Sequence, residues 1–155
     1  MTSATLAAQK ETVATVAQLM NPMVAELSAL SLVGKQAHWH VRGAAFLPVH
    51  EYLDTLVDDV REWADTVAER VIALGAPTDG RPAIASTAAA SSYPEGYQTV
   101  EKTLDLIIDA LDKIIALGRE AQPALGEADP MSEDVMIEIL RGLDKHRWFF
   151  DAQRG

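Results

Sequence analysis

Between positions 50 and 69 two pairs of side chains with metal-binding chemistry recur at four-residue spacing, His50 with Asp54 and Asp65 with Glu69. On a helix, residues four apart are neighbours, so each pair can aim two donor atoms at one point. At about 3.6 residues per turn, all four fall within roughly 100° of one another. Glu51, Asp58 and Glu62 share that face, while Leu53, Leu56, Val57, Val60, Val67 and Val71 lie opposite and can fill a core. A solvated acidic face is the ordinary meaning of such a stripe. The paired ligand spacing argues for more.

Imidazole and carboxylate form a mixed N/O set that suits iron, manganese or zinc rather than a soft metal. The chain contains no Cys, so thiolate ligands and thiol nucleophiles are excluded. The two pairs cannot cooperate within one helix. Asp54 and Asp65 are about 16 Å apart along the axis and His50 and Glu69 about 28 Å, against metal–ligand bonds of about 2 Å. Both separations are centred between positions 59 and 60. An antiparallel copy of the helix, related by a two-fold axis there, would set His50 opposite the partner's Glu69 and Asp54 opposite the partner's Asp65. One symmetric interface then builds two identical sites.

His38 becomes a fifth ligand if a short loop returns the chain beside the end of its helix; a structural histidine at a helix end is the other reading, and both stand. His40, two residues on, points elsewhere. Trp39 can pack beside the site or supply an electron to a reactive oxygen species. Carboxylates stabilise Fe(III) over Fe(II), and an incomplete ligand set leaves positions open for peroxide or dioxygen. The run His50-Glu51-Tyr52-Leu53-Asp54 is also one residue away from the His-Glu-x-x-His zinc motif, so a metal-dependent amide or peptide hydrolase is an alternative. That alternative leaves the mirrored Asp65 and Glu69 unexplained.

The elements that must hold these residues are helical, and nothing shows strand alternation. A first helix runs over about 7–40 on Val13, Val16, Leu19, Met23, Leu27, Leu30 and Val33. Pro22, after Asn21, starts a helix or kinks one already running; the apolar stripe continues on both sides, which favours a kink. Positions 41–47 read as a loop, and Pro48 suits the first turn of a second helix ending at Leu74, where Gly75 stops it. An Ala/Ser/Thr/Gly/Pro-rich crossover over 76–94 has room for a short helix at 84–90. A third helix over about 94–119, a connection over 122–130 and a fourth helix over 132–153 complete an all-α, ferritin-like four-helix bundle with one long crossover.

At 155 residues the chain fits one domain, 1–155, with a short flexible N-terminus at about 1–6. Lys10 and Glu11 interrupt any leader pattern in the first twenty residues, and no stretch reads as long enough to span a bilayer. A cytoplasmic protein is expected, with nucleoid association the lesser alternative. The net charge of −10 gives no footprint for phosphate backbones.

The segment Lys35-Gln36-Ala37-His38-Trp39, continuing through Gly43, Phe46, His50, Asp54, Asp65 and Ala68-Glu69-Arg70, resembles the signature of the Dps family, DNA-binding proteins from starved cells. Leu143, Asp144, Lys145, Trp148 and Phe149 give a weaker second match. The resemblance implies a hollow homo-oligomer, a dodecamer, that binds iron at two-fold interfaces. There it would oxidise Fe2+ to Fe3+ with hydrogen peroxide or dioxygen, store ferric mineral and so protect against oxidative stress. His38, His50 and Asp54 would come from one subunit and Asp65 and Glu69 from its mate. A shell also needs entry pores and nucleation groups: Asp129, Glu133 and Asp134 can line a pore or cap the last helix, and Glu51 and Asp58 can nucleate mineral or stay solvated. Family members that bind DNA use a Lys- or Arg-rich tail; the first 34 residues here offer only Lys10, and the end only Arg154. A DNA-compacting role and a plain structural shell are the non-enzymatic alternatives.

Overall fold

The computed structural model describes residues 3–154, with side chains from residue 9 onward. Helix α1 (Ser3–His40) runs through Pro22 as one element. Met20, Met23, Val24 and Leu27 are all buried around that proline, and their packing offsets the hydrogen bond it removes. Asn21 donates from Nδ2 to the carbonyl of Pro77, tying the middle of α1 to the crossover. The flexible N-terminus expected at 1–6 lies partly outside the described residues; from Ser3 onward the backbone is helix.

One expectation is corrected here. The Gln9–His40 part of α1 is long and apolar enough to cross a membrane, with a mean hydropathy of 1.3 in its most apolar window. Most of that window, 61%, is buried against the rest of the chain. A helix hydrophobic on most sides is what the core of a bundle requires.

After α1, a two-residue strand β1 (Val41–Arg42) leads into α2 (Phe46–Ala73), which starts from Ala45 in the left-handed region at φ 60°. Pro48 sits in the first turn, where its missing N–H costs nothing. The far end closes with Gly75 at φ 94°, Ala76 N–H donating to Val71 O and Gly75 N–H to Ile72 O. That is a Schellman closure, and it requires the conformational freedom of glycine.

The crossover holds a shorter helix than expected, α3 (Pro82–Ala85), then a single 3₁₀ turn at Ala89–Ser91. Both backbone N–H groups of Ala89 and Ala90 donate to the Glu26 carboxylate, which anchors this segment on α1. A strand β2 (Gln98–Thr99) pairs in parallel with β1, Val41 against Gln98 and Arg42 against Thr99. Sequence alternation cannot reveal a two-residue pair.

Helix α4 (Val100–Ala128) begins six residues later than expected, capped by Thr99 Oγ1 accepting from Lys102 N–H, and continues well past Arg119. The connection expected over 122–130 is helix through Pro123, because Ala121 and Leu125 extend the buried stripe of α4. Asp129 alone separates it from α5 (Pro130–Asp151). α1 packs chiefly on α2 and α4 chiefly on α5, with α1–α4 and α2–α5 contacts closing a bundle around Leu27, Leu30, Leu53, Leu56, Ile107, Leu111, Ile114 and Phe150. At Gly34 the α1 and α2 backbones approach closely: a Cβ there would stand 2.7 Å from Val57 Cγ2.

Candidate metal centre

The last turn of α1 and the second turn of α2 bring His38 and His50 face to face, with ring centroids 3.6 Å apart and planes 21° from parallel. Each ring bonds the other's backbone: His38 Nδ1 to His50 O at 2.8 Å, and His50 Nδ1 to His38 O at 2.8 Å. A carbonyl oxygen only accepts, so both Nδ1 atoms carry the proton. In its neutral form each imidazole therefore has its lone pair on Nε2, the tautomer a metal ligand needs, with orientation fixed by the backbone.

Asp54 lies beside them, its Oδ1 3.3 Å from His38 Nδ1 and 2.6 Å from Lys35 Nζ. The Lys35 hydrogen bond holds the Asp54 carboxyl below its ordinary pKa, against a smaller opposing effect of burial. Lys35, one turn before His38, was not singled out from the sequence as a site residue. Its ammonium occupies the carboxylate that a cation would use.

Asp65 and Glu69 stand further along the same outward face of α2, exposed, and form no hydrogen bond or ion pair among the described residues. The fold thus brings His38, His50 and Asp54 together and leaves Asp65 and Glu69 apart from them. Among the described residues, no group of three or more His, Asp or Glu is disposed around a single metal position. Asp54 is turned onto Lys35.

The other candidate residues divide. Glu51 and Asp58 are exposed on the α2 face. Asp129 is the cap of α5, accepting from Ser132 N–H and Oγ, and it pairs with Arg70 Nη2 at 2.6 Å. Capping describes its role in this chain. Glu133 accepts from Gln122 Nε2, and Asp134 is exposed beside Trp63 and Arg141. Of the two readings of Trp39, packing is not seen within the single chain: the side chain is 63% exposed, because the turn that sends His38 inward sends its neighbour out. Trp39 borders a cleft with Phe46, Arg42 and Tyr97, where the Arg42 guanidinium lies 3.1 Å from the Tyr97 ring centroid. His40 bonds the carbonyl of Gln36, away from the histidine pair.

A second polar cluster, on the inward side of α2, escaped the sequence reading. His146 bonds Tyr52 Oη through Nδ1 at 2.9 Å and Asp59 Oδ2 through Nε2 at 2.8 Å. Burial lowers the His146 pKa, and the Asp59 hydrogen bond only partly opposes it. Burial, then the Asp59 charge, pushes the Tyr52 phenol up to about 12. The signal was present in α5: His146 falls on the stripe of Met136, Ile139, Leu140, Leu143 and Phe150, where a polar side chain must find a partner.

Residues 17–155 match the ferritin-like domain family. The chain is 36% identical over 140 residues to the DNA protection during starvation protein of Agrobacterium fabrum, covering 89% of this chain and 86% of that one. The chain belongs to the ferritin-like family, in its Dps branch. Among solved structures, Dps from Microbacterium arborescens in the high iron form superposes with a TM-score of 0.88 at 40% identity, over 92% of this chain and 93% of that chain. Similarity also extends to the fine tangled pili major subunit of Haemophilus ducreyi, 37% identical over 138 residues, or 88% of this chain and 73% of that protein. In this Dps chain the histidine pair and Asp54 thus sit on a ferritin-like bundle whose relatives match along nearly its whole length.

Proposed function

We propose that this chain is the subunit of a hollow, iron-oxidising and iron-storing homo-oligomer, whose metal centre is completed across a two-fold axis. Fe(II) is the substrate, held by Nε2 of His38 and His50 and by Asp54 of one subunit, with the partner's Asp65 and the partner's Glu69 closing the site. Anionic oxygens favour Fe(III), so the ligand set drives electron loss to hydrogen peroxide or dioxygen, and the ferric product collects as mineral inside a twelve-subunit shell. Iron must displace Lys35 from Asp54 to bind. The reading places this protection against oxidative stress in the cytoplasm, without direct DNA binding.

The observation that carries the proposal is the reciprocal histidine pair, in which each Nδ1 is taken up by the other's backbone carbonyl and Nε2 is the ring nitrogen left for a metal, with the Asp54 carboxylate 3.3 Å from His38 Nδ1. The same face of α2 adds support. Under a two-fold axis between positions 59 and 60, Leu47 meets the partner's Ile72, two apolar side chains that are 57% and 56% exposed in the single chain. Asp58 meets the partner's Arg61, an opposite charge. Both pairings keep the centre of symmetry that the ligands require, and they give Asp58 a role at the interface rather than in nucleation.

Complementation between subunits tests the shared site. His50→Ala and Glu69→Ala homo-oligomers should each lose peroxide-driven Fe(II) oxidation. Co-assembled from a mixture, they should regain part of it, because a mixed dimer holds one intact site. A mixture as inactive as its components would reject the shared site, and normal oxidation by Glu69→Ala alone would do the same.

A further inference from the structure

The end of the bundle beside the histidine pair carries a cleft of about 530 Å³, in the size range of small-molecule sites. Its walls are Trp39 from α1, Phe46 from α2 and Tyr97 from the turn before β2, with Val41, Arg42 and Gly43 between them. Trp39 is 63% exposed and Tyr97 62%, so two large rings keep most of their area in water although burial would be favourable. Strand pairing explains how the cleft is built. β1 turns Val41 into the core and Arg42 outward, and its register of Arg42 against Thr99 sets the guanidinium over the ring of Tyr97, 3.1 Å from the centroid. His40 flanks the same ring at 5.7 Å. Gly43, at φ 120°, adds no side chain, and a Cβ there would meet nothing within 4 Å, so the cleft is open on that side.

Charge gives the cleft its selectivity. Arg70, Arg81, Arg119, Arg147 and Arg154 each hold a carboxylate. Among the described residues Arg42 holds none, and no Asp or Glu lines the cleft, in a chain whose net charge is −10. Stacking fixes the guanidinium plane on Tyr97 and leaves its N–H edge for a planar anion. α2 begins at the cleft with no side-chain cap and no acidic residue in its first turn, so the positive end of its dipole is uncompensated there. We propose that this cleft binds a small planar aromatic carboxylate, its ring against Trp39 and Phe46 and its carboxylate on the edge of the Arg42 guanidinium. Aromatic walls favour a ring over an aliphatic chain, and paired N–H donors in one plane favour a carboxylate. None of these side chains belongs to the proposed ligand set, so the site stands apart from the iron reading. It shares a wall with the histidine pair, because the Phe46 ring lies 4.9 Å from that of His50.

Equilibrium dialysis of the assembled, metal-free protein against 2-naphthoate tests the proposal. Saturable uptake is expected. Arg42→Gln should weaken it by about tenfold, the worth of one charge-assisted hydrogen bond, and Tyr97→Leu should weaken it by removing the ring that orients the guanidinium. 2-Naphthamide, of the same shape without the charge, should bind the native protein correspondingly less well. Arg81→Gln should leave uptake unchanged, since that guanidinium already serves Asp79. Arg42 and Tyr97 are both exposed, so their replacement leaves the core intact, and sedimentation velocity checks that each variant assembles as the native protein does. Absence of saturable uptake, as when a partner chain covers the cleft, overturns the proposal. Uptake that survives Arg42→Gln, that falls equally in Arg81→Gln, or that does not distinguish the amide from the carboxylate overturns it as well.

Discussion

Lys35 decides what state the proposed metal centre rests in. Its ammonium neutralises Asp54 at 2.6 Å while each ring of the histidine pair is held through Nδ1 by the other's carbonyl, so a divalent cation competes with a lysine for the carboxylate. Replacing Lys35 by Met should therefore tighten metal binding. The pair is partly exposed, which limits its worth to roughly 0.2–1 kcal/mol, a gain of at most a few-fold in affinity. Titration of the apo-protein with Zn(II), which does not change oxidation state, measures it; weaker binding in the variant would mean that Lys35 helps to build the site. A pH effect belongs to His146. Its pKa is lowered in the folded state chiefly by burial, so below about 6.5, the value of an unperturbed histidine, the unfolded chain binds a proton that the folded chain does not. Its contribution is complete above that pH and is lost progressively as the pH falls toward the folded pKa. His146→Gln should flatten this part of the stability–pH curve in thermal unfolding at fixed protein concentration, and an unchanged slope would show that the buried imidazole does not set it.

At the scale of elements, the clearest lesson is Asp129. One residue ends α4, caps α5 and ties both to α2 through Arg70. Its carboxyl is held low in pKa because hydrogen bonds from Ser132 and Arg70 outweigh its burial. Asp129→Ala loses cap and ion pair together and should cost about 1–2 kcal/mol, whereas Asp129→Asn keeps a capping oxygen and should cost less. Thermal midpoints of the two variants at equal concentration separate the contributions; equal losses would assign the effect to Arg70 alone. The sequence made the bundle order, the Gly75 stop and the exposed acidic face of α2 legible, because these follow from periodicity and local turn chemistry. It misplaced both ends of α4, since Pro123 reads as a breaker until Leu125 is known to be buried behind it. It also missed the Tyr52–His146–Asp59 cluster, whose members are 87 and 94 residues apart along the chain and meet only through α2–α5 packing.

The whole molecule carries a net charge of −10 per chain, and any assembly multiplies it. A shell of such chains would have to overcome its own repulsion, and apolar area and opposite charges meeting across the subunit boundary would do so. The α2 face offers both, with Leu47 and Ile72 exposed at mirror positions and Asp58 and Arg61 placed to pair reciprocally about the same axis. Asp58→Arg sets one cation against the partner's Arg61 at each of the two symmetric contacts and should weaken the two-fold interface. Adding Arg61→Asp restores opposite charges with the polarity reversed and should restore assembly, although each single change leaves the subunit's own core untouched. Sedimentation velocity across a dilution series gives the assembly state, and Fe(II) oxidation measured on the same samples should fall and recover in step with it, since in the proposed shared site a lone subunit supplies only part of each ligand set. Assembly that is indifferent to Asp58→Arg would remove this face from the interface. Assembly that fails while oxidation persists would instead place a complete metal centre within one chain.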